Sequence, residues 1–469
     1  MKKLFKTKDR FLFITGLIIS ALTLCFMGLY NGYPLVYPDT GTYIRSGFEG
    51  FVPEDRPITY GLFIRHMSMS ETLWLVIFIQ GLISSLILFY YFYYLSNQSV
   101  KIKLLSFLTY IVFITFFFGA SVNVSQLIPD IFTPVTILSI GLLLFVQKMK
   151  RRDKIFISII LIYSISVHSS HLLIVAATLV VMFIFYVYEK ISKQSIFFFN
   201  KLRNLIFISS LVLGSDLLTM GVNYFYSGKA TYSRGGHVFL LARINDLGLL
   251  KDYLDNNCAK NDYKICQYKD KIPWDMLWDP QSPIYLTGGW EANKEEYQQL
   301  IKDILTTPKY LNLFIIRTIE SSFKQFFTFD TGDTPPQTMG SSVFGAIDQF
   351  YHETTKEYLG AFQNNNKLKY DEINRSQKVL FGFLLILFFA FYISDIDVKW
   401  KMLISFFLLT LYFNAAVSTI SCIASRFQGR VVWILPLPAF IILLNYIPFD
   451  LIREKFFGLV NKQINSKNQ

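Results

Sequence analysis

The chain has 469 residues, of which 52% are hydrophobic and 17% aromatic, and it carries a formal net charge of +12. This composition excludes an ordinary soluble protein, which would expose too much apolar surface to water. The positive charge does not by itself indicate nucleic acid, since Lys and Arg gather in the cytoplasmic loops of membrane proteins and no basic patch interleaved with aromatic residues stands out. We therefore expect an all-α polytopic membrane protein that works in a lipid bilayer and binds no nucleic acid.

Apolar runs long enough to cross a bilayer as helices recur along the chain. They predict about ten transmembrane helices, at residues 11–30, 72–95, 104–120, 130–147, 155–167, 172–188, 204–224, 379–394, 402–421 and 431–447. The first run begins like a signal peptide but is too long and lacks a small-residue cleavage site, so we expect it to remain as a span. In the 155–188 block, "HSSH" indicates a turn between two spans, and one bent helix is the alternative.

The distribution of Lys and Arg predicts which side each loop faces. With ten spans and both the N- and the C-terminus cytoplasmic, the cytoplasmic segments include the basic "KMKRRDK" and "SDIDVKWK". The outer connections "GASVNVSQLI" and "HSSH" contain neither Lys nor Arg. A composition rich in Lys, Asn, Ile and Phe is typical of AT-rich bacterial genomes, so we expect a multi-pass protein of the cell inner (cytoplasmic) membrane.

Two hydrophilic stretches then face outside, a first outer loop at 31–71 and a large segment at 225–378. They divide the chain into an N-terminal membrane domain with seven spans (1–224), an extracytoplasmic, mainly helical domain (225–378), and a C-terminal membrane domain with three spans and a cytoplasmic tail (379–469). Within the large segment, Pro308 predicts a break between two helices and "DTGDTPPQTMG" predicts a loop. Cys258 and Cys266 are either a disulfide or two free thiols.

Asp39 lies in "YPDTGTYI", directly after the first span. Pro38 and Gly41 on either side of it predict a turn. The same stretch also fits a helix N-cap, in which Asp39 accepts from the backbone of the next turn. The functional interpretation is that Asp39 points into a cavity at the outer membrane face, as a general base or a metal ligand.

Further along the first outer loop, "PEDRPITYGLF" places the acidic pair Glu54 and Asp55 before Arg56 and Pro57. Pro57 fits the first turn of a helix that leads towards the second span. Arg56 would then face the headgroup region, where a guanidinium can hold a phosphate through paired hydrogen bonds. Ordinary interfacial anchoring explains an Arg at this position equally well.

Two further candidates lie near the ends of spans. Asp130 follows Pro129 at the start of one, where a carboxylate is either functional or favoured by the helix dipole. His168 and His171 are three residues apart and share a face if they are helical. As a metal-binding pair they are a weak signal, and a polar turn at the membrane interface is the favoured interpretation.

The last outer loop carries two basic residues directly before a span, in "SRFQGRVVWILPLPAF". Arg426 and Arg430 are four residues apart, so they can face the same way on a helix. Two guanidinium groups at the outer interface form a plausible clamp for a phosphate or pyrophosphate. The alternative is positive charge that simply flanks a helix.

Three stretches, "YPDTGTYI", "RPITYGLFI" and "SRFQGRVVWILPLPAF", occur in this order and together resemble the GT-C membrane glycosyltransferases. The resemblance implies an enzyme that moves a sugar from a polyprenyl-phosphate-linked donor to a glycan, lipid or protein acceptor at the extracytoplasmic membrane face. Attack opposite the leaving group would invert the anomeric centre. The resemblance implies Asp39 as the catalytic carboxylate, and the expected substrate-binding residues are Arg56, Asp130, His168, Arg426 and Arg430.

One departure from the family pattern bears on the chemistry. Many GT-C members carry paired acidic residues in the first outer loop, whereas Asp39 stands alone there, and Glu54 and Asp55 are adjacent but at a different place. The cofactor is therefore undecided, and a divalent cation, Mg²⁺ or Mn²⁺, is the one candidate. Recognition of the acceptor would fall to the segment 225–378.

Two other classes of protein remain open at this point. A polysaccharide polymerase or ligase would use basic residues of the large segment, such as Arg234 and His237, and would not depend on Asp39. A lipid flippase or transporter would carry charges deep inside several spans, and Asp216 is the main example. The sequence contains no Walker loop, dinucleotide fingerprint, zinc-spaced Cys set or "GxSxG" motif.

Overall fold

The computed structural model describes residues 7–192 and 202–447 of the chain. Over these residues the protein is helical, and strand-like pairing is confined to one isolated parallel bridge between Leu35 and Gln126. Outside the described residues lie the basic N-terminal stretch 1–6, the segment 193–201 and the tail from 448 onwards. The predicted cytoplasmic placement of the two termini therefore stays a prediction.

The helices of the first part, in chain order, are α1 (Thr7–Leu24), α2 (Phe26–Asn31), α3 (Thr40–Glu49), α4 (Thr59–Met67), α5 (Trp74–Leu95), α6 (Val100–Phe117), α7 (Ala120–Ser125), α8 (Phe132–Phe145), α9 (Arg151–Ser166) and α10 (Ser169–Ser192). A 3₁₀ turn at Pro129–Ile131 leads into α8. The predicted outer loop 31–71 therefore contains two short helices, α3 and α4, which are too polar to be found as apolar runs.

The helices of the second part are α11 (Leu202–Ser227), α12 (Gly236–Asp246), α13 (Leu249–Asn257), α14 (Pro283–Leu286), α15 (Lys294–Thr306), α16 (Pro308–Phe326), α17 (Ser342–Phe350), α18 (Thr355–Gly360), α19 (Asp371–Ile393), α20 (Val398–Ser418), α21 (Ser425–Val432) and α22 (Leu437–Tyr446). The break at Pro308 separates α15 from α16, as the sequence predicts. Residues 330–340 form an irregular connection, also as predicted.

Seven helical segments among the described residues are long and apolar enough to cross a membrane: α5, α6, α10, α11, α19, α20 and the α21–α22 pair. The apolar stretches Arg10–Leu24 and Pro129–Phe145 are shorter. A multi-pass membrane protein is consistent with this pattern, whereas the count of ten spans and the side that each loop faces stay predictions. The 155–188 block is divided between α9 and α10 at "VH", so it is not one continuous helix.

The large segment 225–378 contributes to two hydrophobic cores. Residues from Val238 to Tyr310, on α12 to α16, pack into a core of their own. Residues from Phe329 to Ala361, including α17, belong instead to the core formed by the long helices. α17 packs directly on α3, where a Cβ on Gly41 would lie 2.6 Å from the backbone of Ser342, so this contact requires glycine.

A disulfide joins Cys258 to Cys266 within the smaller core, which resolves the choice between a disulfide and two thiols. The cross-link closes a loop with a sequence separation of 8. Constraining the unfolded chain in this way stabilises the folded state by about 2–3 kcal/mol. Disulfides persist in oxidising compartments, so the bond also favours an extracytoplasmic position for this segment.

We expect the Cys258→Ser variant to lose that stabilisation, seen as faster proteolysis within residues 238–310 of the full chain. Cys422→Ser is the matched control, because Cys422 is an exposed free thiol. Labelling of the unfolded, non-reduced protein should modify Cys25 and Cys422 and spare the other two cysteines. Four labelled thiols would contradict the disulfide.

Candidate functional site

Two short helices of the first outer loop bring Asp39 and Arg56 together. α3 begins directly after Asp39, and α4 begins three residues after Arg56. The two helices cross where Gly47 faces Gly61, and a Cβ on Gly47 would lie 2.1 Å from the carbonyl oxygen of Gly61. Only glycine permits this approach of two backbones. The crossing returns the chain on itself, so the Arg56 side chain reaches Asp39.

Asp39 lies between two guanidinium groups. It occupies the N-cap position of α3, but its side chain makes no capping hydrogen bond. Instead, Oδ1 accepts from Nη2 of Arg56 at 3.1 Å, and Oδ2 lies 3.6 Å from Nη1 of Arg426. The interpretation of Asp39 as a capping side chain is therefore wrong, because its carboxylate accepts no hydrogen bond from the backbone of α3. The side chain of Asp39 keeps 27% of its surface exposed, so the carboxylate remains accessible.

A second carboxylate, Asp130, is buried behind this pair. Its Oδ2 accepts from Nε of Arg426 at 2.9 Å, and its Oδ1 accepts from Nη1 of Arg430 at 3.1 Å. The spacing of the two arginines on α21 thus places both on one face, as the sequence predicts. Because a buried carboxylate needs charged partners, this pairing explains the Asp130 position more directly than the helix dipole does.

Arg430 holds this arrangement from behind. Its side chain is 1% exposed, and Nε and Nη2 donate to Oδ1 of Asn414 at 3.2 and 2.9 Å. Nη2 also donates to Ser418, so the guanidinium is engaged with α20 and Asp130. Arg426 is placed differently, since its guanidinium lies 4.0 Å over the ring of Tyr37. We infer that Arg430 positions Asp130, and that Asp130 orients Arg426.

Arg56 has one nitrogen that is not engaged. Nε and Nη2 donate to Asp55, and Nη2 also donates to Asp39. Nη1 is buried and has no hydrogen-bond partner among the described residues. Burial lowers the pKa of Arg56, but Tyr43 and the two carboxylates outweigh burial and hold it well above its ordinary value. Arg56 is therefore a fixed cation with a donor to spare.

These charged groups, except the buried Asp130, open onto a cavity of about 310 Å³. Its charged lining comprises Asp39, Asp55, Arg56, Arg426 and Arg430. Its apolar lining includes Leu173, Phe239, Leu240, Trp278, Val417 and Ile420. The lining comes from the start of α10, the end of α20, α12, α21 and the first outer loop. Charged and apolar surface in one cavity suits an amphipathic ligand.

His168 also lines the cavity, between α9 and α10. Burial, together with the neighbouring His171 and Arg430, lowers the pKa of His168 well below its usual range, so the ring is neutral at pH 7. Nδ1 accepts from the backbone N–H of Ser170 at 3.2 Å, which places the ring proton on Nε2. His171 is different, since it is fully buried and hydrogen-bonded to Thr133 and Ser164.

The structure adds Asp55 to the residues of the site. Asp39 and Asp55 accept from the same nitrogen, Nη2 of Arg56, and both line the cavity. The first outer loop therefore contains two acidic residues that contact one arginine, although they are not close in the sequence. In the sequence, the only signal for Asp55 was its place in the acidic pair with Glu54. The packing of α3 against α4 is what brings Asp55 next to Asp39.

Other candidates from the sequence lie elsewhere in the structure. Arg234 donates to Glu291 at 2.8 Å and to the carbonyl of Val52 at 2.7 Å, which ties the large segment to the first outer loop. His237 is hydrogen-bonded to the carbonyl of Trp290. Neither residue lines the 310 Å³ cavity, and neither does Asp216 of α11. The charged residues around Asp39 therefore lie together at the cavity, whereas Arg234, His237 and Asp216 do not line it.

The donor set does not fit a divalent cation. Asp39, Asp55 and Asp130 are each ion-paired with at least one arginine. A metal ion would have to displace guanidinium groups that are themselves partly buried. Within residues 7–192 and 202–447, no group of three or more His, Cys, Asp and Glu side chains is arranged to hold a metal ion. We therefore derive no chemical step through a metal.

The chain matches no protein-family model, no curated protein and no solved structure. Its function must therefore be argued from the cavity and the charged cluster themselves.

Proposed function

We propose that the protein is an inverting glycosyltransferase that moves a sugar from a polyprenyl-phosphate donor to a hydroxyl of a glycan, lipid or protein acceptor. The reaction would take place at the extracytoplasmic membrane face. The observation that carries the proposal is the position of Asp39 between Arg56 and Arg426, beside a cavity that is partly apolar. A sugar on a lipid phosphate needs these three elements: a base, cations for the phosphate and an apolar surface for the lipid.

The donor phosphate is proposed to bind the guanidinium groups of Arg56 and Arg426, both of which line the cavity. The three carboxylates and three arginines of the cluster balance in charge, so an added phosphate competes with a carboxylate for guanidinium. Asp39 is the most exposed of the three carboxylates, at 27% against 15% for Asp55 and 2% for Asp130. Its 3.6 Å contact with Arg426 is also the loosest of the cluster. Donor binding would therefore release Asp39.

The released carboxylate of Asp39 then acts as the general base. The acceptor hydroxyl oxygen attacks the anomeric carbon from the face opposite the phosphate, and its proton passes to Asp39. The bond between the anomeric carbon and the phosphate oxygen breaks, and the oxygen leaves with the electron pair. Arg56 and Arg426 stabilise the negative charge that develops on the leaving phosphate. The products are the inverted glycoside and free polyprenyl phosphate.

The test uses the full chain reconstituted in lipid vesicles with radiolabelled polyprenyl-phosphate-linked sugars and a membrane extract as the source of acceptor. We expect release of polyprenyl phosphate and transfer of label to the acceptor fraction. Movement of the lipid between leaflets with no cleavage would identify a flippase instead. Transfer that persists at the wild-type rate in both the Asp39→Asn and the Asp55→Asn variant would favour the polymerase or ligase class.

Replacement of Arg56 by Gln is expected to raise KM for the donor by about tenfold or more, because a charge-assisted contact with the phosphate is lost. The quantity to measure is the initial rate of transfer against donor concentration. Arg45→Gln is the matched control, since Arg45 lies on α3 and donates to Gln349, outside the cavity. An unchanged donor KM in the Arg56 variant would contradict the assigned phosphate contact.

A further inference from the structure

Two tryptophans of the large segment stand beside carboxylates in the stretch "KIPWDMLWDPQSP". Such a combination suits a sugar-binding surface, because an aromatic face can pack on the C–H groups of a sugar ring, but it also occurs in ordinary domain cores. The structure rules out the core for both rings, since Trp274 is 88% exposed and Trp278 is 50% exposed.

Trp278 is also part of the lining of the 310 Å³ cavity, whereas Trp274 is not. The side chains of Arg56 and Arg426, which line the same cavity, are only 11% and 12% exposed. Trp278 therefore lies on the open side of the cavity, and the two arginines lie deeper. The cavity thus combines an aromatic surface near solvent with cations further in.

The core of the large segment holds Trp278 in place. The two preceding residues, Met276 and Leu277, are buried in that core. Oδ1 of Asp275 accepts from the backbone N–H of Trp278 at 3.2 Å. The Trp278 ring contacts the buried ring of Trp290, with centroids 5.9 Å apart. A side chain that is fixed before the ligand arrives loses little conformational entropy on binding.

Hydroxyl side chains line the same cavity, namely Ser169, Ser170, Ser233, Ser418 and Ser421. A hydroxyl group both donates and accepts hydrogen bonds, so this lining suits a ligand whose own polar groups are hydroxyls. Exposed tryptophans also anchor proteins in lipid. Asp275 and Asp279 on either side of Trp278 oppose that use, because carboxylates are costly in hydrocarbon.

We propose that Trp278 forms a sugar-stacking subsite on the open side of the cavity, and that the acceptor is a glycan. The inference rests on the proposed function and makes it more specific, because it selects the glycan among glycan, lipid and protein acceptors. With the donor phosphate on the deeper arginines, the ring near solvent falls to the acceptor. The sugar of the donor has the same chemistry, and the kinetic experiment separates these two sources.

Binding is measured by saturation-transfer NMR on the full chain in lipid nanodiscs, with tetrasaccharides of glucose, N-acetylglucosamine, galactose and mannose as the four probes. We expect the wild type to bind at least one of them. Trp278→Leu, which keeps an apolar contact with Trp290, should weaken that binding about tenfold and leave the ligand-free Tm unchanged, and Trp278→Phe should keep part of the affinity. Trp274→Leu is the matched control, since Trp274 is in the same loop but outside the cavity lining.

The transfer assay then assigns the bound ring. Trp278→Leu is expected to raise KM for the acceptor fraction about tenfold and to leave the donor KM unchanged. A raised donor KM with an unchanged acceptor KM supports the sugar subsite and assigns the stacked ring to the donor, which overturns its assignment to a glycan acceptor.

Failure of the subsite and failure of the proposed function give different results. A wild type that binds a tetrasaccharide through Trp278 but transfers no sugar keeps the subsite and loses the proposed function. If the wild type binds none of the four probes, or if Trp278→Leu binds them as tightly as the wild type, the subsite is overturned. Quenching of Trp278 fluorescence by nitroxide-labelled lipid would place the ring in the bilayer and overturn it as well.

Discussion

Asp39→Asn is expected to lower kcat for sugar transfer by about 10²–10⁴-fold, the usual range for loss of a general base. The donor KM should stay the same or fall, because Asn removes the negative charge that competes with the phosphate for Arg56 and Arg426. This split between kcat and KM is the characteristic sign of a base that is ion-paired until the donor binds. It is measured from initial rates in vesicles at several donor concentrations.

Asp55→Asn is the matched control for this prediction, because it makes the same change on a second carboxylate that contacts Arg56 and lines the cavity. Asp55 pairs closely with Arg56 through two nitrogens, so we assign it a positioning role and expect a smaller decrease in kcat. The reverse order of effects would identify Asp55 as the base. Full transfer activity in both variants would contradict a mechanism in which one of these carboxylates is the general base.

The long helices are the part of the fold that the sequence predicts well. Their signal is local, since an apolar run marks each one, and the breaks at "VHSSH" and Pro308 follow from turn and proline chemistry. α3 and α4 carry no such run. Their packing depends on Gly47 and Gly61, which permit two backbones to touch. A glycine in a sequence does not say which distant backbone it will meet, so this crossing was not predictable.

The candidate site was predictable residue by residue but not as a network. The spacing of Arg426 and Arg430 placed both on one helical face, and Asp130 was recognised as a carboxylate at the start of a span. Their contacts join residues 296 and 300 positions apart. The periodicity of a single sequence does not indicate which residues so far apart in the chain will be in contact.

Asp130→Asn is expected to reduce the free energy of unfolding by about 3–5 kcal/mol, because it leaves the buried guanidinium of Arg430 without its carboxylate. The side chains of Asp130 and Arg430 are 2% and 1% exposed, so water cannot replace the lost partner. Chemical denaturation in detergent micelles measures the change. Activity should fall as well, since Arg426 loses the carboxylate that orients it.

The double variant Asp130→Asn with Arg430→Met tests the cause of this destabilisation. Removing the orphaned charge should recover much of the lost stability, giving a coupling energy between the two sites. Asp153→Asn is the matched control, because Asp153 is also buried, but its arginine partner Arg152 is 59% exposed, and its buried hydrogen bonds come from the hydroxyl groups of Tyr90 and Tyr94. An amide can still accept from neutral donors, so a loss of only about 1 kcal/mol is expected there. Equal losses in Asp130→Asn and Asp153→Asn would show that burial of a carboxylate, and not its pairing with Arg430, determines the effect.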